Sequence, residues 1–184
     1  MMEKVNSHLL QGSRKQKMSF PPRVGVLHNI RSAHNVGSMF RTADAAGFAK
    51  LYLVGYTPGP VNAQGAPRVQ LTKVALGAEQ MVSWEQWETA EELFAFLHRQ
   101  RYFIAALEQA PGAIPYYSFA PPPRPLALVV GNEVEGIPAK LLAQSDAVVA
   151  IPMLGKKESL NVSVAFGVMA YRLAFPCGGE RTEE

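Results

Sequence analysis

The chain has 184 residues, of which 48% are hydrophobic, and its formal net charge is +3. This length and composition predict one globular domain with a sizeable core and exclude an intrinsically disordered protein. The apolar runs are too short to cross a bilayer, and we expect no signal peptide at the start of the sequence. A single cysteine, Cys177, excludes an internal disulfide and favours a cytoplasmic location.

The two ends of the chain carry opposite charges. Residues 1–22 are interpreted as a basic N-terminal arm, residues 23–176 as the folded domain and residues 177–184 as an acidic tail. A basic arm on a near-neutral body suggests a polyanionic partner such as nucleic acid. A merely solvated N-terminus is the alternative.

Five segments are predicted to be strands because they are continuous apolar runs, typical of strands covered on both faces. They are residues 24–28, 51–54, 102–107, 126–130 and 147–151. Four helices are predicted: at about residues 36–46 with Gly47 as its C′ residue, after the N-cap Thr89, from Pro138 as first helical residue, and at about residues 160–175. The alternation predicts a single α/β domain with a mostly parallel sheet and helices on both faces.

A polar segment joins the first predicted strand to the first predicted helix. It contains Asn29, Arg31, Asn35 and Arg41. Asn35 is the predicted N-cap, and the free N–H groups of a helix start, together with two arginines, suit an RNA backbone. The alternative is an ordinary amphipathic helix in which Arg41 pairs with Asp44.

Two further loops follow predicted strands. The loop that begins at Gly131 contains Glu133, which can orient a cationic group or simply be solvated. In the second loop, backbone groups around Ile151 and Leu160 can bind the edge of an adenine while their side chains cover its faces. Ser159 and Asn161 precede the last helix, where helix capping is the alternative role. Lys156 in the same loop can contact phosphate or be solvated.

Several familiar motifs are absent from the sequence. It contains no GxGxxG dinucleotide loop, no GxxxxGK[ST] phosphate loop and no GxSxG nucleophile elbow. No set of His, Cys and acidic residues has the spacing of metal ligands, so we expect no metal site. These absences argue against the common nucleotide-cofactor and hydrolase classes.

Taken together, the three polar segments resemble the signature motifs of the SpoU/TrmH family of SPOUT RNA methyltransferases. The first resembles its N-x-R-x-x-x-N-x-G-x-x-x-R-[ST] motif and the second its G-x-E-x-x-G motif. The third combines Ile151-Pro152-Met153 with the run from Ser159 to Ala165. The resemblance extends from about residue 23 to residue 175, and the motifs occur in the family's order.

The resemblance implies an enzyme that uses S-adenosylmethionine to methylate a ribose 2′-OH of tRNA or rRNA. It also implies a homodimer with a C-terminal trefoil knot that holds the cofactor, without metal or membrane. By this likeness the cofactor contacts are Leu107, Gly131, Ile151, Met153 and Leu160. The catalytic or site-shaping residues are Asn35, Arg41, Glu133, Ser159 and Asn161, and the RNA-binding residues are Asn29, Arg31, Arg41 and Lys156.

Arg41 is open to two interpretations. The family resemblance implies that it removes the proton of the 2′-OH. An arginine is normally always protonated, however, so it can instead clamp a phosphate and stabilise negative charge on the 2′-oxygen. Competing functions are a base methyltransferase on the same fold, a catalytically silent RNA-binding module, and a generic α/β transferase for small molecules.

Overall fold

One seven-stranded sheet organises the part of the chain that the computed structural model describes, residues 21–175. Its strand order is β3-β2-β1-β6-β4-β7-β5, and all six pairings are parallel. The strands are β1 Arg23–His28, β2 Lys50–Val54, β3 Ser83–Trp87, β4 Phe103–Leu107, β5 Ile114–Pro115, β6 Leu126–Val130 and β7 Ala147–Ala150. The acidic tail with Cys177, and the basic arm up to residue 20, lie outside the described residues.

All five predicted strands are confirmed, with bounds that agree to within one residue. They are the inner strands β1, β2, β4, β6 and β7, and β6 is buried at every position. The two strands not predicted, β3 and β5, lie at the edges of the sheet. Edge strands are half exposed, and β3 is accordingly polar at several positions.

Within residues 21–175, six helices cover the two faces of the sheet. They are α1 Ala33–Ala45, α2 Val69–Ala75, α3 Ala78–Met81, α4 Ala90–Arg99, α5 Ala139–Leu142 and α6 Val162–Ala174. Helices α1, α2, α3 and α6 share one buried cluster with one face of the sheet, whereas α4 and α5 share a second cluster with the other. The prediction of a parallel sheet covered on both faces is confirmed.

The helix ends confirm two predicted caps and correct two others. Thr89 caps α4, since its side chain accepts from the N–H of Glu92 at 3.4 Å. Gly47, with φ +72°, follows the end of α1 as expected. The N-cap of α1 is Ser32 rather than Asn35, because the side chain of Asn35 is engaged elsewhere. Pro138 is the N-cap of α5 and not its first helical residue.

Candidate active site

A cavity of about 290 Å³ lies beyond the carboxyl ends of three adjacent strands, β6, β4 and β7. This edge is where open α/β sheets bind their ligands. Apolar side chains of Leu107, Leu160, Val162 and Ala165 contribute to its lining, together with Gly131 and Ile151. Glu133 and Ser159 bring polar groups to the same cavity, so it offers an apolar wall beside a polar rim.

Glu133 is the hub of that polar rim. Its Oε1 accepts from the side-chain amide of Asn35 at 2.9 Å and from the N–H of Ser32 at 3.3 Å. Its Oε2 accepts from the N–H of Arg31 at 3.1 Å. The carboxylate therefore fixes the loop before α1 against the loop after β6.

Asn35 carries this network to the third motif. Its Oδ1 accepts from Nδ2 of Asn161 at 3.2 Å. Asn161 is the N-cap of α6, and its Oδ1 accepts from the N–H of Ser163 at 2.9 Å. The capping role left open for Asn161 is thus real, and the same side chain also joins the rim through its amide group. One chain of hydrogen bonds connects Glu133, Asn35 and Asn161, one residue from each motif.

The hydrogen bonds to Glu133 lower the pKa of its carboxyl more than partial burial raises it. Partial burial works to raise the pKa of the carboxyl, but the N–H of Arg31, the amide of Asn35 and the N–H of Ser32 stabilise the ionised form. The net result is a pKa below its ordinary value. At neutral pH the rim consequently holds a fixed negative charge beside the cavity.

The loop after β6 is held by two side chains that were not selected from the sequence, Asn132 and Glu108. The Oδ1 of Asn132 accepts from the N–H groups of Val134 and Glu135 at 2.7 and 2.9 Å. Glu108 accepts from the N–H of Ile137 at 2.8 Å. Asn132 occupies a variable position of the Gly-x-Glu-x-x-Gly motif, and its contacts with Asn29 and Tyr56 reach distant loops, whereas Glu108 follows a strand without any local signal.

Gly131 allows this loop to close. A Cβ at this position would overlap the backbone of Gly136, the residue that returns the chain toward the cavity. Gly136 itself has φ +67°, in the left-handed region that favours glycine. The Gly-x-Glu-x-x-Gly pattern thus produces a tight loop that presents its backbone to the cavity.

The predicted RNA-contacting residues are divided between internal and outward-facing roles. Asn29, with φ +55°, accepts from the N–H of Tyr56 at 3.4 Å through its side chain and from Asn132 at 3.0 Å through its carbonyl. It therefore serves as a connector between loops. By contrast, Arg31, Arg41 and Lys156 are exposed, and within residues 21–175 their side chains make no hydrogen bond or ion pair.

The predicted pairing of Arg41 with Asp44 is not found in residues 21–175. Both side chains are exposed, and no ion pair joins them in the described part of the chain. The amphipathic-helix alternative, in which Arg41 is neutralised by Asp44, is not supported. Arg41 remains available to an anionic ligand.

Four of the five predicted cofactor contacts line the cavity, namely Leu107, Gly131, Ile151 and Leu160. The fifth, Met153, is half-buried two residues beyond Ile151 and is absent from the lining. Its assignment as a cofactor contact therefore has no support from the geometry. Ser159 lines the cavity but is exposed and stands outside the hydrogen-bond chain of the rim.

The comparison with protein families decides the relationship. Residues 22–171 match the model of the SpoU rRNA Methylase family. The chain belongs to this family. The match contains β1 to β7 and nearly all of α6, so the resemblance inferred from the three motifs is confirmed.

The chain is also similar to proteins named as RNA methyltransferases. The chain is 33% identical over 152 residues to a 23S rRNA (guanosine-2′-O-)-methyltransferase of Ralstonia nicotianae, covering 82% of this chain and 57% of the relative. It is 30% identical over 145 residues to a tRNA (guanosine(18)-2′-O)-methyltransferase of Aquifex aeolicus, covering 78% of this chain and 64% of the relative. The chain thus spans less than two thirds of the length of these relatives.

A solved structure supports the fold assignment. The AdoMet-bound rRNA methyltransferase from Sinorhizobium meliloti superposes with a TM-score of 0.73 at 28% identity, over 82% of this chain and 54% of that one. Within residues 21–175, no helix is long and apolar enough to pass through a membrane. In the same residues, no group of three or more His, Cys, Asp or Glu side chains is placed to hold a metal ion.

Proposed function

We propose that this protein transfers a methyl group from S-adenosylmethionine to a ribose 2′-OH of tRNA or rRNA. The observation that carries the proposal is the hydrogen-bond chain from Glu133 through Asn35 to Asn161 at the rim of the cavity. It unites residues of three motifs at one place, between an apolar pocket and an exposed arginine-bearing surface. Such a rim can hold a sugar between a bound cofactor and a bound phosphate.

The residues of the cavity fit S-adenosylmethionine. Leu107 and Leu160 can cover the two faces of an adenine, and the tight loop at Gly131 presents backbone to the rest of the molecule. The carbonyl of Ile151 accepts from the side-chain amide of Gln109 at 2.7 Å, so it is already placed to accept from an amino group. When bound, S-adenosylmethionine supplies a methyl group on a positively charged sulfur.

In this proposal the negative charge of Glu133 favours a cationic ligand over its neutral product. The carboxylate is held in place by three N–H donors, so it need not reorganise when the ligand changes charge. Asn35 and Asn161 fix the position of the ribose, because both amides are themselves fixed by the rim. Much of the rate enhancement then comes from holding the 2′-oxygen in line with the methyl carbon.

Arg41 acts in this scheme as a phosphate clamp. Its exposed guanidinium, without a partner in residues 21–175, can bind the phosphate next to the methylated ribose. The new bond joins the 2′-oxygen to the methyl carbon, the carbon–sulfur bond breaks, and the proton of the 2′-OH passes to water at the open rim. If Arg41 instead acts as the base, the dependence of the methyl-transfer rate on pH is expected to change when Arg41 is replaced by another residue.

The deciding experiment is methyl transfer from labelled S-adenosylmethionine to separated tRNA and rRNA from cells that lack the gene. Nucleoside analysis of the product is expected to show a labelled 2′-O-methyl nucleoside in one of the two fractions. A methylated base would instead establish a base methyltransferase. Cofactor binding without incorporation into any RNA would contradict the proposal, and absence of cofactor binding would favour the silent RNA-binding module.

We further propose that the protein is a homodimer. Val164, Tyr171 and Phe175 are exposed and recur along one stripe of α6 and its C-cap, where the rings of Tyr171 and Phe175 stack at 6.1 Å. Sedimentation of the full chain is expected to give twice the monomer mass, and Tyr171→Glu is expected to shift it toward the monomer. A wild-type protein that sediments as a monomer at micromolar concentration would contradict the dimer.

The trefoil knot and a cytoplasmic location are also proposals. After β7 the chain returns to the ends of β4 and β6, where Ser159 and Leu160 line the cavity, and this return supports a knotted path. A crystal structure with S-adenosylmethionine is expected to trace a knot between β6 and α6. An unknotted trace would contradict it. The proposed RNA substrates favour a cytoplasmic location, which fractionation of cells tests.

A further inference from the structure

A second cavity, of about 440 Å³, is linked to the first by hydrogen bonds of Arg31 and Tyr56 and has no role in the scheme above. It lies beside the carboxyl end of β2 and includes Arg31, Tyr56, Arg68 and Trp84 in its wall; these four residues define what we call the outer pocket. Its chemistry differs from that of the cofactor cavity. Besides aliphatic residues such as Val61, it has two aromatic residues and two arginines in its wall, whereas the first cavity is lined by neither aromatic residues nor arginines.

The outer pocket is built into the same rim as the active site. The N–H of Arg31 donates to Glu133, and Arg31 also lines the outer pocket. Asn132, which lines the cofactor cavity, donates to the hydroxyl of Tyr56 at 2.7 Å. A ligand that places a sugar at the rim can therefore extend directly into the outer pocket.

The wall of the outer pocket is held in place by internal contacts. The side-chain amide of Gln86 donates to the carbonyls of Gly55 and Thr57 at 3.0 and 3.3 Å. Nε of Arg68 donates to the carbonyl of Gly59 at 3.1 Å, and Gly59 leaves room for the ring of Trp84. The pocket is thus formed before a ligand arrives, which reduces the entropic cost of binding.

The outer pocket has hydrogen-bond donors that no group in residues 21–175 accepts from, and these donors suit a nucleobase. The hydroxyl of Tyr56 accepts from Asn132 and retains its own proton to donate, and the guanidinium of Arg31 has no partner within residues 21–175. Aromatic rings and guanidinium planes are the groups on which unpaired RNA bases stack, and their N–H and O–H donors match the acceptor atoms of base edges.

We propose that the outer pocket receives an unstacked base of the RNA substrate while the ribose lies at Asn35 and Glu133. This inference rests on the proposed function, since it assumes that the ligand at the rim is RNA. It adds Tyr56, Arg68 and Trp84 to the substrate-binding residues. The base is recognised by stacking on Tyr56 and by hydrogen bonds from the two arginines.

The first test is short-wave UV crosslinking of the full-length protein to total tRNA and rRNA from cells lacking the gene, with S-adenosylhomocysteine present. Peptide mapping is expected to find a crosslink between an RNA base and residues 55–68 or Trp84. Crosslinks confined to other surfaces, or no crosslink, overturn the inference. A crosslink at Tyr56 in a protein that transfers no methyl group would uphold the pocket and refute the proposed reaction.

The second test measures KM for RNA and the Kd for S-adenosylmethionine in three variants. Tyr56→Ala removes the stacking ring and is expected to raise KM for RNA about 10-fold with unchanged cofactor affinity. Tyr56→Phe keeps the ring and is expected to retain most of the affinity for RNA. The matched control is Tyr117→Ala, because Tyr117 is as exposed as Tyr56 (59% and 56%) and lies near the opposite edge of the sheet.

The outcomes separate this inference from the proposed function. If the wild type methylates RNA and Tyr56→Ala has the same KM as Tyr117→Ala, the outer pocket does not bind the base and only this inference fails. Thermal unfolding of each variant checks that a raised KM does not come from a destabilised fold. A similar design with Arg68→Ala and the exposed helix residue Arg99→Ala as control tests the guanidinium.

Discussion

The rim of the cofactor cavity and the outward-facing surface beside it use their polar groups in opposite ways. At the rim, Glu133, Asn35 and Asn161 bond to one another across 98 and 126 residues of sequence. On the surface, Arg31, Arg41 and Lys156 make no side-chain bond within the described residues. Rim residues are therefore expected to position the ribose and the cofactor through their fixed geometry and charge, and surface residues to bind the phosphates of the RNA.

The largest expected effect is that of Arg41→Ala. Loss of a charged group that contacts the reacting nucleotide is expected to lower kcat for methyl transfer by about 10²–10³-fold. Because Arg41 lies outside the cofactor cavity, the Kd for S-adenosylmethionine and the thermal midpoint should be unchanged. Radiolabel transfer to RNA and calorimetric titration of the cofactor measure the two quantities.

The same position tests the two roles of Arg41. Arg41→Lys keeps a positive charge, and as a phosphate clamp it is expected to recover part of the rate with the pH dependence of the wild type. A pH–rate profile that changes shape in Arg41→Lys would favour the base role. A large loss of affinity for S-adenosylmethionine in Arg41→Ala would contradict the assignment of Arg41 to the RNA-binding surface.

Asn132→Ala is expected to have the largest effect on stability. Asn132 is buried. Its side chain accepts from the N–H groups of Val134 and Glu135 and donates to the carbonyl of Asn29 and the hydroxyl of Tyr56. Its loss leaves several part-buried polar groups without this partner, at a cost of about 1–3 kcal/mol in the free energy of unfolding. Urea denaturation of the variant beside the wild type measures this difference.

Asn132→Asp provides a control with nearly the same shape. It retains an oxygen that can accept from Val134 and Glu135 but loses the amide that donates to Asn29 and Tyr56. Its stability is expected to lie between those of the wild type and Asn132→Ala. Equal stability of all three proteins would show that the rim does not depend on this residue.

The contrast between rim and surface also explains what could be predicted from the sequence. The inner strands were predictable because burial on both faces requires continuous apolar runs, as in β6. The edge strand β3 has no such requirement, and its Ser-Trp-Glu-Gln-Trp sequence contains no buried position. The short helix α2 was missed for a related reason, since it lies in a Gly- and Pro-rich stretch with little periodicity.

The site was predictable to the extent that its motifs are local. The resemblance identified Asn35, Glu133 and Asn161. The bond between Asn35 and Glu133 depends on the pairing of β1 with β6, and the bond between Asn35 and Asn161 depends on the path of the chain between β7 and α6. The same long-range geometry made Ser32 the N-cap of α1, because the side chain of Asn35 is bonded to Glu133. The bonds of Asn132 to Asn29 and Tyr56, and of Glu108 to Ile137, could not be inferred, since they join loops that are far apart in the sequence.

A smaller effect on stability, with a defined pH dependence, is expected for Glu133→Gln. The pKa of Glu133 lies below its ordinary value in the folded state, so its contribution to stability is present above the unfolded-state pKa and lost as pH falls through the folded-state pKa. The carboxylate is partly exposed, so the loss at neutral pH is expected to be about 1 kcal/mol or less. Wild type and variant should converge in acid, as measured by urea denaturation across pH. A difference that persists unchanged in acid would assign the effect to packing.

Lys156→Ala is expected to have the smallest effect. It also tests most sharply whether the surface with Arg31, Arg41 and Lys156 binds RNA. An exposed lysine that neutralises one RNA phosphate contributes through counterion release, so its removal should reduce the slope of log K for RNA against log salt by somewhat less than one unit. Neither stability nor cofactor affinity should change, because the Lys156 side chain makes no internal bond in the described residues. Lys50→Ala is a suitable control, since Lys50 pairs with Glu85 at 3.0 Å beside the edge strand. If both variants give the wild-type salt slope, the loop that carries Lys156 does not follow the RNA backbone, and the RNA-binding surface is restricted to the side of the rim that carries Arg31 and Arg41.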